Sequence, residues 1–278
     1  MRRCAPRIAR LAYYPVKGCA AVHATTAAVT PAGITHDRAF LVVDGKGVYR
    51  TQRRHPQLAL VAPEISSDGS SMTLRHPDLE PLHLPVDRSG PRRPVDLFGE
   101  PFQGIDQGSV VGEWLSEAVG ETSRLVRVPP DHRRVTDGLT PGTSGYADSS
   151  AVHILSKASL DLLNERLRAD GHPAVPMERF RPNIVVDGWE QPHTEDLVRR
   201  VTVGGSELGY AKPALRCVVT TVDQRSAHRT GPEPLRALAR YRRTEGGLAF
   251  GAKFAVVRPG AVSVGDAVTV TRWGASEM

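Results

Sequence analysis

The chain has 278 residues and a formal net charge of +6, from 36 basic and 30 acidic side chains. That length suits one large domain or two small ones, and with 40% apolar residues it can bury a sizeable core, which excludes wholesale disorder. The longest apolar runs, such as Ala39 to Val43, have five residues. A membrane span requires roughly 20, and the Arg-rich N-terminus lacks the apolar stretch of a secretory signal.

With 26 Gly and 22 Pro, short strands and turns are favoured over long helices. The first third reads as β structure: Ile8 to Tyr13, Ala21 to Val29, Ala39 to Val43 and Val48 to Thr51. Asp44-Gly45-Lys46-Gly47 is a hairpin signal between the last two. A second, Ser66-Ser67-Asp68-Gly69, separates Leu58 to Ile65 from Met72 to Leu74, and Leu82 to Leu84 and Arg93 to Leu97 continue the meander. Val111, Leu115 and Val119 predict a helix over Val110 to Val119. Residues 129–150, rich in Pro, Gly, Asp, Ser and Thr, predict a long loop, either functional or merely connecting.

Val152 to Leu155 then reads as a strand, and Ser156 as the N-cap of a helix with Leu160, Leu163 and Leu167 on one face. Ile184 to Val186, Val201 to Val203 and Cys217 to Val222 read as strands. A short helix over Pro232 to Arg242 turns Leu235, Leu238 and Ala239 inward, and strands at Phe254 to Val257 and Ala267 to Thr271 close the chain. The fold class is mostly β with a few helices.

Several chemistries are unsupported. Cys4, Cys19 and Cys217 are too few for a disulfide framework, and no CxxC occurs. No two His stand at HxH or HxxxH spacing, and Walker A, GxGxxG and GxSxG signatures are absent. Of the basic residues, 31 are Arg and 5 are Lys. Plain compositional bias accounts for this, as does an anionic ligand or an acidic protein partner. Nucleic acid is disfavoured, because aromatics are only 5% and no basic run is interleaved with stacking rings.

Three features are candidates for chemistry. Cys217 ends Lys212-Pro213-Ala214-Leu215-Arg216-Cys217, which reads as a loop entering a strand with two cations close by. Positive charge favours the thiolate, a nucleophile and soft-metal ligand, although a lone Cys at a strand start also serves as a small buried hydrophobe. Arg181-Pro182-Asn183 presets a guanidinium and an amide around a stiff proline, as an anion grip or as a capped turn. Lys17-Gly18 pairs a cation with a residue that allows close backbone approach to a phosphate. Asp37-Arg38 and Thr51-Gln52-Arg53 add polar groups at strand ends.

Together these stretches resemble a known family. Tyr14-Pro15-Val16-Lys17-Gly18-Cys19, Gly33 to Arg38 followed by Phe40 to Asp44, and Thr51-Gln52-Arg53 are similar to the N-terminal β-barrel of MOSC proteins. Phe180-Arg181-Pro182-Asn183-Ile184-Val185-Val186, Arg216-Cys217-Val218-Val219-Thr220-Thr221-Val222-Asp223, Pro234-Leu235, Phe250-Gly251, Pro259-Gly260 and Val264 to Val268 resemble the MOSC domain. The resemblance implies an N-terminal β-barrel-like domain over 1–122 and a MOSC β-barrel domain over 123–278. Within the family the chain is similar to the amidoxime-reducing group.

That resemblance implies a molybdenum cofactor, a molybdopterin without nucleotide extension, and reduction of amidoximes, hydroxamic acids and N-hydroxylated bases. Cys217 matches the molybdenum ligand and is the implied catalytic residue. Lys17, Gly18, Arg38, Arg181, Pro182, Asn183 and Arg216 match cofactor-binding positions, with Asp148, Ser149 and Ser150 touching the cofactor from the other side. Pyridoxal phosphate is not expected. Two departures stand out. Ala214 replaces the first Cys of a Lys-Pro-Cys-x-Arg-Cys pattern, and no Cys cluster exists for a two-iron ferredoxin domain. Electrons are therefore expected from a separate protein: a ferredoxin, a flavodoxin or a b-type cytochrome with its reductase. Absence of an export signal points to the cytoplasm. The competing readings are a persulfide carrier using Cys217, a non-catalytic cofactor-delivery module, and a cysteine-nucleophile hydrolase for which no base is evident.

Overall fold

A computed structural model describes residues 5–278, so Cys4 lies outside the described residues. Its largest sheet is mixed and takes strands from both ends of the chain. In order across the sheet run Val22–Ala24, Arg7–Tyr13, Ile184–Asp187, Val152–Ser156, Gly247–Arg258, Ser206–Arg216, Val198–Val203 and Val268–Trp273, with Arg243–Thr244 added beside Gly247–Arg258. Val152–Ser156 and Ile184–Asp187 pair in parallel. The intervening helix, Lys157–Ala169, is the crossover that such a pair demands. Gly247–Arg258 and Ser206–Arg216, twelve and eleven residues long, pair antiparallel through three register shifts. Bulges of this kind bend a long ribbon toward closure.

The first third builds smaller sheets. One runs Phe40–Val43, Arg124–Arg127, Glu100–Asp106, Arg92–Leu97, and another runs Ala62–Ile65, Ser71–His76, Leu79–Pro85. The helix Ser109–Val119 packs between them, with Val111, Leu115 and Val119 buried as their spacing predicts. A third small sheet joins Gly260–Ser263 to Thr26–Thr30, so the end of the chain returns to its beginning. The fold class is thus mostly β with three helices.

Most expected strands form within a residue or two, but four stretches differ. Ala21 to Val29 splits into Val22–Ala24 and Thr26–Thr30, which join different sheets. Val48 to Thr51 makes only isolated bridges, Tyr49 to Val43 and Val48 to Asp96, because the chain is wedged between two strands instead of extending one ladder. Leu58 to Ile65 begins as a 3-10 turn over Pro56–Leu60, set by a proline in its first turn, before becoming the strand Ala62–Ile65. Cys217 to Val222 is not a strand. It is a 3-10 turn over Val218–Thr221, with Cys217 as its cap at the end of Ser206–Arg216.

The reason for that last difference lies in the threonines. Thr220 N–H and Oγ1 both donate to the Cys217 carbonyl at 3.0 Å, and Thr221 Oγ1 donates to the Val218 carbonyl at 2.8 Å. A β-branched run that reads as a strand is recruited into a turn when its hydroxyls satisfy the backbone locally. Several strands escaped the sequence pattern: Glu100–Asp106, Arg124–Arg127, Gly260–Ser263, and Ser206–Arg216, whose end from Lys212 to Arg216 reads as a loop in the sequence. The first is folded back by Phe98-Gly99, both at positive φ (63° and 83°), as a type I′ hairpin requires.

Ser156 caps its helix as expected. Its Oγ accepts the Ser159 amide at 3.1 Å, and Ser159 Oγ donates in turn to Glu195 at 2.7 Å. All three residues are buried. Ser156→Ala should therefore cost about 1–2 kcal/mol of stability. Urea unfolding followed by circular dichroism measures it, and an unchanged midpoint would remove the cap from the account.

Candidate active site

Tyr14 leaves the strand Arg7–Tyr13 and its amide donates to Asp37 Oδ1 at 2.8 Å. Its carbonyl accepts the Arg38 amide at 2.7 Å, and Lys17 N–H reaches the Phe40 carbonyl at 2.9 Å, so residues 14–17 lie along 38–40. Over the Tyr14 ring sit two guanidiniums, those of Arg38 and Arg181, each 4.1 Å from its centre. The Tyr14 hydroxyl donates to the Pro182 carbonyl at 3.2 Å. Burial pushes that phenol up to about 12 against the pull of both arginines, so it stays neutral. Arg38 is locked bidentately by Asp37, both contacts through Nη1 at 2.7 Å.

Arg38 and Arg181 both adopt left-handed backbone, at φ 49° and 54°. Positive φ in non-glycine residues costs energy and clusters where function requires it. Arg181 ends the 3-10 turn Met177–Phe180, and its Nη1 donates to Gln224 at 3.3 Å while Nη2, though buried, has no partner. Pro182 and Asn183 do not line the cleft that follows. The Asn183 amide instead ties three segments: Oδ1 accepts from His153 N–H at 3.1 Å and Arg38 at 3.3 Å, and Nδ2 donates to the Ala12 carbonyl at 3.1 Å.

These elements frame a cleft of about 780 Å³, part of it open to solvent. Of the expected site residues it brings together Lys17, Gly18, Arg38, Asp148, Arg181, Arg216 and Cys217. Ser149 and Ser150 follow Asp148 in the chain but do not line the cleft, and buried Ser150 Oγ has no partner among the described residues. Lys17 pairs with Asp148 across the cleft mouth, 4.9 Å above the Phe98 ring. The 129–150 stretch is irregular apart from a two-residue pairing, Val135–Thr136 with Gly142–Thr143. Arg134 pins it by donating to the carbonyls of Gly145 and Asp148.

The two described thiols differ sharply. Cys19, one residue beyond Gly18, is fully buried, and desolvation pushes it up to about 12. Cys217 is partly open to the cleft, and Arg53 lines the same cleft. Arg216, beside it, donates to the carbonyls of Ala214 and Phe180 at 2.9 Å. Burial brings the Arg216 guanidinium down to about 10.

The structure adds residues that sequence reasoning missed: His153, Arg179 and Lys253 line the same wall. Lys253 had a visible signal, as a lysine inside the apolar run from Leu248 to Val257 in a chain with only 5. It pairs with His153 across the sheet, and desolvation together with Arg216 and Arg38 lowers it to about 7. Burial and the charges of Arg216 and Lys253 hold His153 well below its usual range. Its packing requires Gly251, where φ is +80° and a Cβ would stand 2.5 Å from His153 Nε2. Asp148 is the single carboxylate on the wall. Desolvation acts to raise it, but Lys17 and Lys253 hold it well below the usual carboxylate range.

Comparison with known proteins accounts for this arrangement. Residues 5–122 match the MOSC N-terminal beta barrel domain, and residues 141–269 match the MOSC domain. The chain is 32% identical over 284 residues to the mitochondrial amidoxime reducing component 2 of Rattus norvegicus, covering 94% of this chain and 82% of the relative. It is 31% identical over 282 residues to the Homo sapiens component 1, with the same coverage. The chain belongs to the MOSC-domain family. It is also 29% identical over 262 residues to the molybdenum cofactor sulfurase of Danio rerio, covering 88% of this chain but 31% of that longer protein.

In this MOSC protein the cleft concentrates charge at the expense of stability. Lys253 is held near neutrality in the fold and titrates at its ordinary high value when unfolded. Between about pH 7 and pH 10 the unfolded chain therefore binds more protons, so this group makes stability rise with pH across that window. Lys253→Met should raise the melting temperature at pH 6–7, and the gain should shrink as pH approaches 10. Thermal melts in low-phosphate buffers across that range check it; a gain independent of pH would show that Lys253 carries no such penalty.

Proposed function

We propose that the cleft holds a molybdopterin-type molybdenum cofactor and that the protein reduces N-hydroxylated compounds with electrons from a separate carrier protein. The observation that carries the reading is one partly exposed thiol, Cys217, set in a wall of Lys17, Arg38, Arg53, Arg181, Arg216 and Lys253 against one carboxylate. Such a donor set fits an anionic, sulfur-ligated group: soft metal centres take thiolate, and phosphate takes guanidinium and ammonium. The buried, unpartnered Arg181 Nη2 is a donor awaiting an acceptor. The printed names of the relatives, amidoxime reducing components and a molybdenum cofactor sulfurase, support the same chemistry.

Bound there, the cofactor supplies a metal centre able to exchange two electrons and take oxygen from an N–OH group. The chain supplies the rest. Cys217 offers the sulfur ligand, and Arg53 and Arg216 line the cleft with it. Arg181, Arg216, Lys17 and Lys253 neutralise phosphate and ring oxygens, while Gly18, at φ +85°, lets the backbone come close. Asn183 is a positioning residue that holds Arg38 and the His153 backbone. The loop from Asp148 to Ser150 closes the other side, kept in place by Lys17 and Arg134. The shorter cofactor form suits a cleft with no further phosphate-binding loop. Residues 1–122 and 123–278 are the two domains that bracket it. Overall, two electrons and two protons convert the N-hydroxylated compound to its reduced base and water.

A second reading, sulfur carriage as a Cys217 persulfide, is favoured by the likeness to the cofactor sulfurase. Metal content separates the two. Protein made in a host that synthesises the cofactor should carry about one molybdenum per chain by elemental mass spectrometry. Cys217→Ala should lose metal and activity while melting within a few degrees of the parent, since the thiol is not in the core. Folded protein with neither molybdenum nor pterin would overturn the reading. Separately, Arg181→Ala should release less pterin on denaturation than the parent; equal release would remove Arg181 from the binding set.

A further inference from the structure

Beside Cys217, two segments far apart in sequence form one rim. The Gln52 and Gln224 side chains bond reciprocally at 3.1 and 2.9 Å. The Arg229 guanidinium donates to the Arg53 carbonyl. This brings the exposed residues Arg53, Arg54, Arg225 and Arg229 together. Among the described residues no carboxylate forms an ion pair with any of the four. The nearest acid on these segments, Asp223, is already engaged. Its Oδ2 faces Arg179 at 3.4 Å, and its Oδ1 accepts the amides of Arg225 and Ser226 at 3.0 Å. Some exposed arginines are neutralised, as Arg92 is by Asp131 and Arg240 by Asp170, while among the described residues Arg236, Arg258 and Arg272 also lack a carboxylate partner; what sets this rim apart is four such arginines gathered beside the cleft.

Next to this charge the cleft mouth shows apolar surface. Leu215 is 48% exposed and Phe98 40% exposed, and both line the cleft. An apolar centre flanked by unpaired guanidiniums is the composition of a small, electrostatically steered interface, such as transient electron-transfer pairs use. Arg53 belongs both to the rim and to the lining of the cleft that Cys217 shares, so a partner seated here lies beside the proposed redox centre.

We propose that this rim is the docking surface for an acidic electron-carrier protein, an inference that rests on the reductase reading above. Its negative face meets Arg54, Arg225 and Arg229, and its cofactor edge faces Leu215 and Phe98. Each docking oxidises the reduced carrier by one electron. Two dockings supply the pair consumed when the N–O bond of the substrate breaks, with two protons taken from water.

The test uses the molybdenum-loaded protein and an acidic plant-type [2Fe–2S] ferredoxin as the probe. Binding is measured by calorimetry at low and at moderate salt. Arg54→Glu combined with Arg225→Glu reverses two rim charges that touch neither Cys217 nor the cleft wall. Ferredoxin affinity should fall at least about tenfold at low salt, with a shallower salt dependence than in the parent. Molybdenum content, melting temperature and dithionite-driven reduction of benzamidoxime should stay within about twofold of the parent. Unchanged ferredoxin affinity in an active variant, or no salt-sensitive binding to the active parent, overturns the docking surface. Absence of dithionite-driven reduction in the loaded parent overturns the reductase reading instead, and with it the carrier as occupant.

Discussion

Two buried guanidiniums share one tyrosine ring, and the site is built outward from that contact. Arg38 and Arg181 each lie 4.1 Å from the centre of Tyr14, with Asp37 answering the charge of Arg38 alone. Each cation–π contact contributes about 1–2 kcal/mol when desolvated. That sum does not by itself offset holding two like charges together with both backbones in the left-handed region. The surrounding bonds complete the account. Tyr14 is fixed at its amide, its carbonyl and its hydroxyl, Asn183 accepts from Arg38 and Gln224 accepts from Arg181, whose Nη2 stays without a partner among the described residues. Because Tyr14 comes from the first strand and Arg181 from the turn before Ile184–Asp187, the same contact sets where the two halves of the chain meet.

Positive charge accumulates beyond what the fold itself neutralises. Arg216 and Lys253 are pushed below their ordinary values by burial, which outweighs the pull of Asp148, the single carboxylate on the wall. A protein that needed only stability would place apolar groups here. Groups held against their own preference, in a cleft, with a thiol among them, are the arrangement that supports the proposed anionic cofactor. Binding an anion there would favour the charged form of Lys253. Ligand affinity and the local instability of the empty cleft are thus one electrostatic quantity seen from two sides.

Much of this was legible beforehand, for identifiable reasons. Periodicity and capping placed the helices because Leu115, Leu163 and Ser156 answer to local rules. Lys17, Arg38, Arg181 and Cys217 were found because short motifs carry them. What was not legible is what long-range packing decides. Asn183 sits in the most distinctive motif, yet its amide serves the framework and not the cleft surface. His153 and Lys253 lie on strands whose apolar pattern hides which face a single polar side chain takes. Only the register between Val152–Ser156 and Gly247–Arg258 puts them side by side. The run Val218 to Val222 misled because β-branched composition was weighed without the hydroxyls of Thr220 and Thr221.

That misreading bears on the chemistry. Had the strand continued through Cys217, the thiol would have been fixed in the pleat, paired on both sides and stiffly oriented. The ladder instead stops at Arg216, and the carbonyl of Cys217 is occupied by Thr220 from within the turn. The side chain is left at a corner where sulfur faces the cleft and Arg53. Ala214, three residues before Cys217, is fully buried, so a cysteine there would not share that exposure. Cys19 shows the alternative fate, a thiol next to the site but sealed into the core and held protonated by its surroundings. The threonines that follow Cys217 therefore do as much as the cysteine itself to give this position its exposure to the cleft.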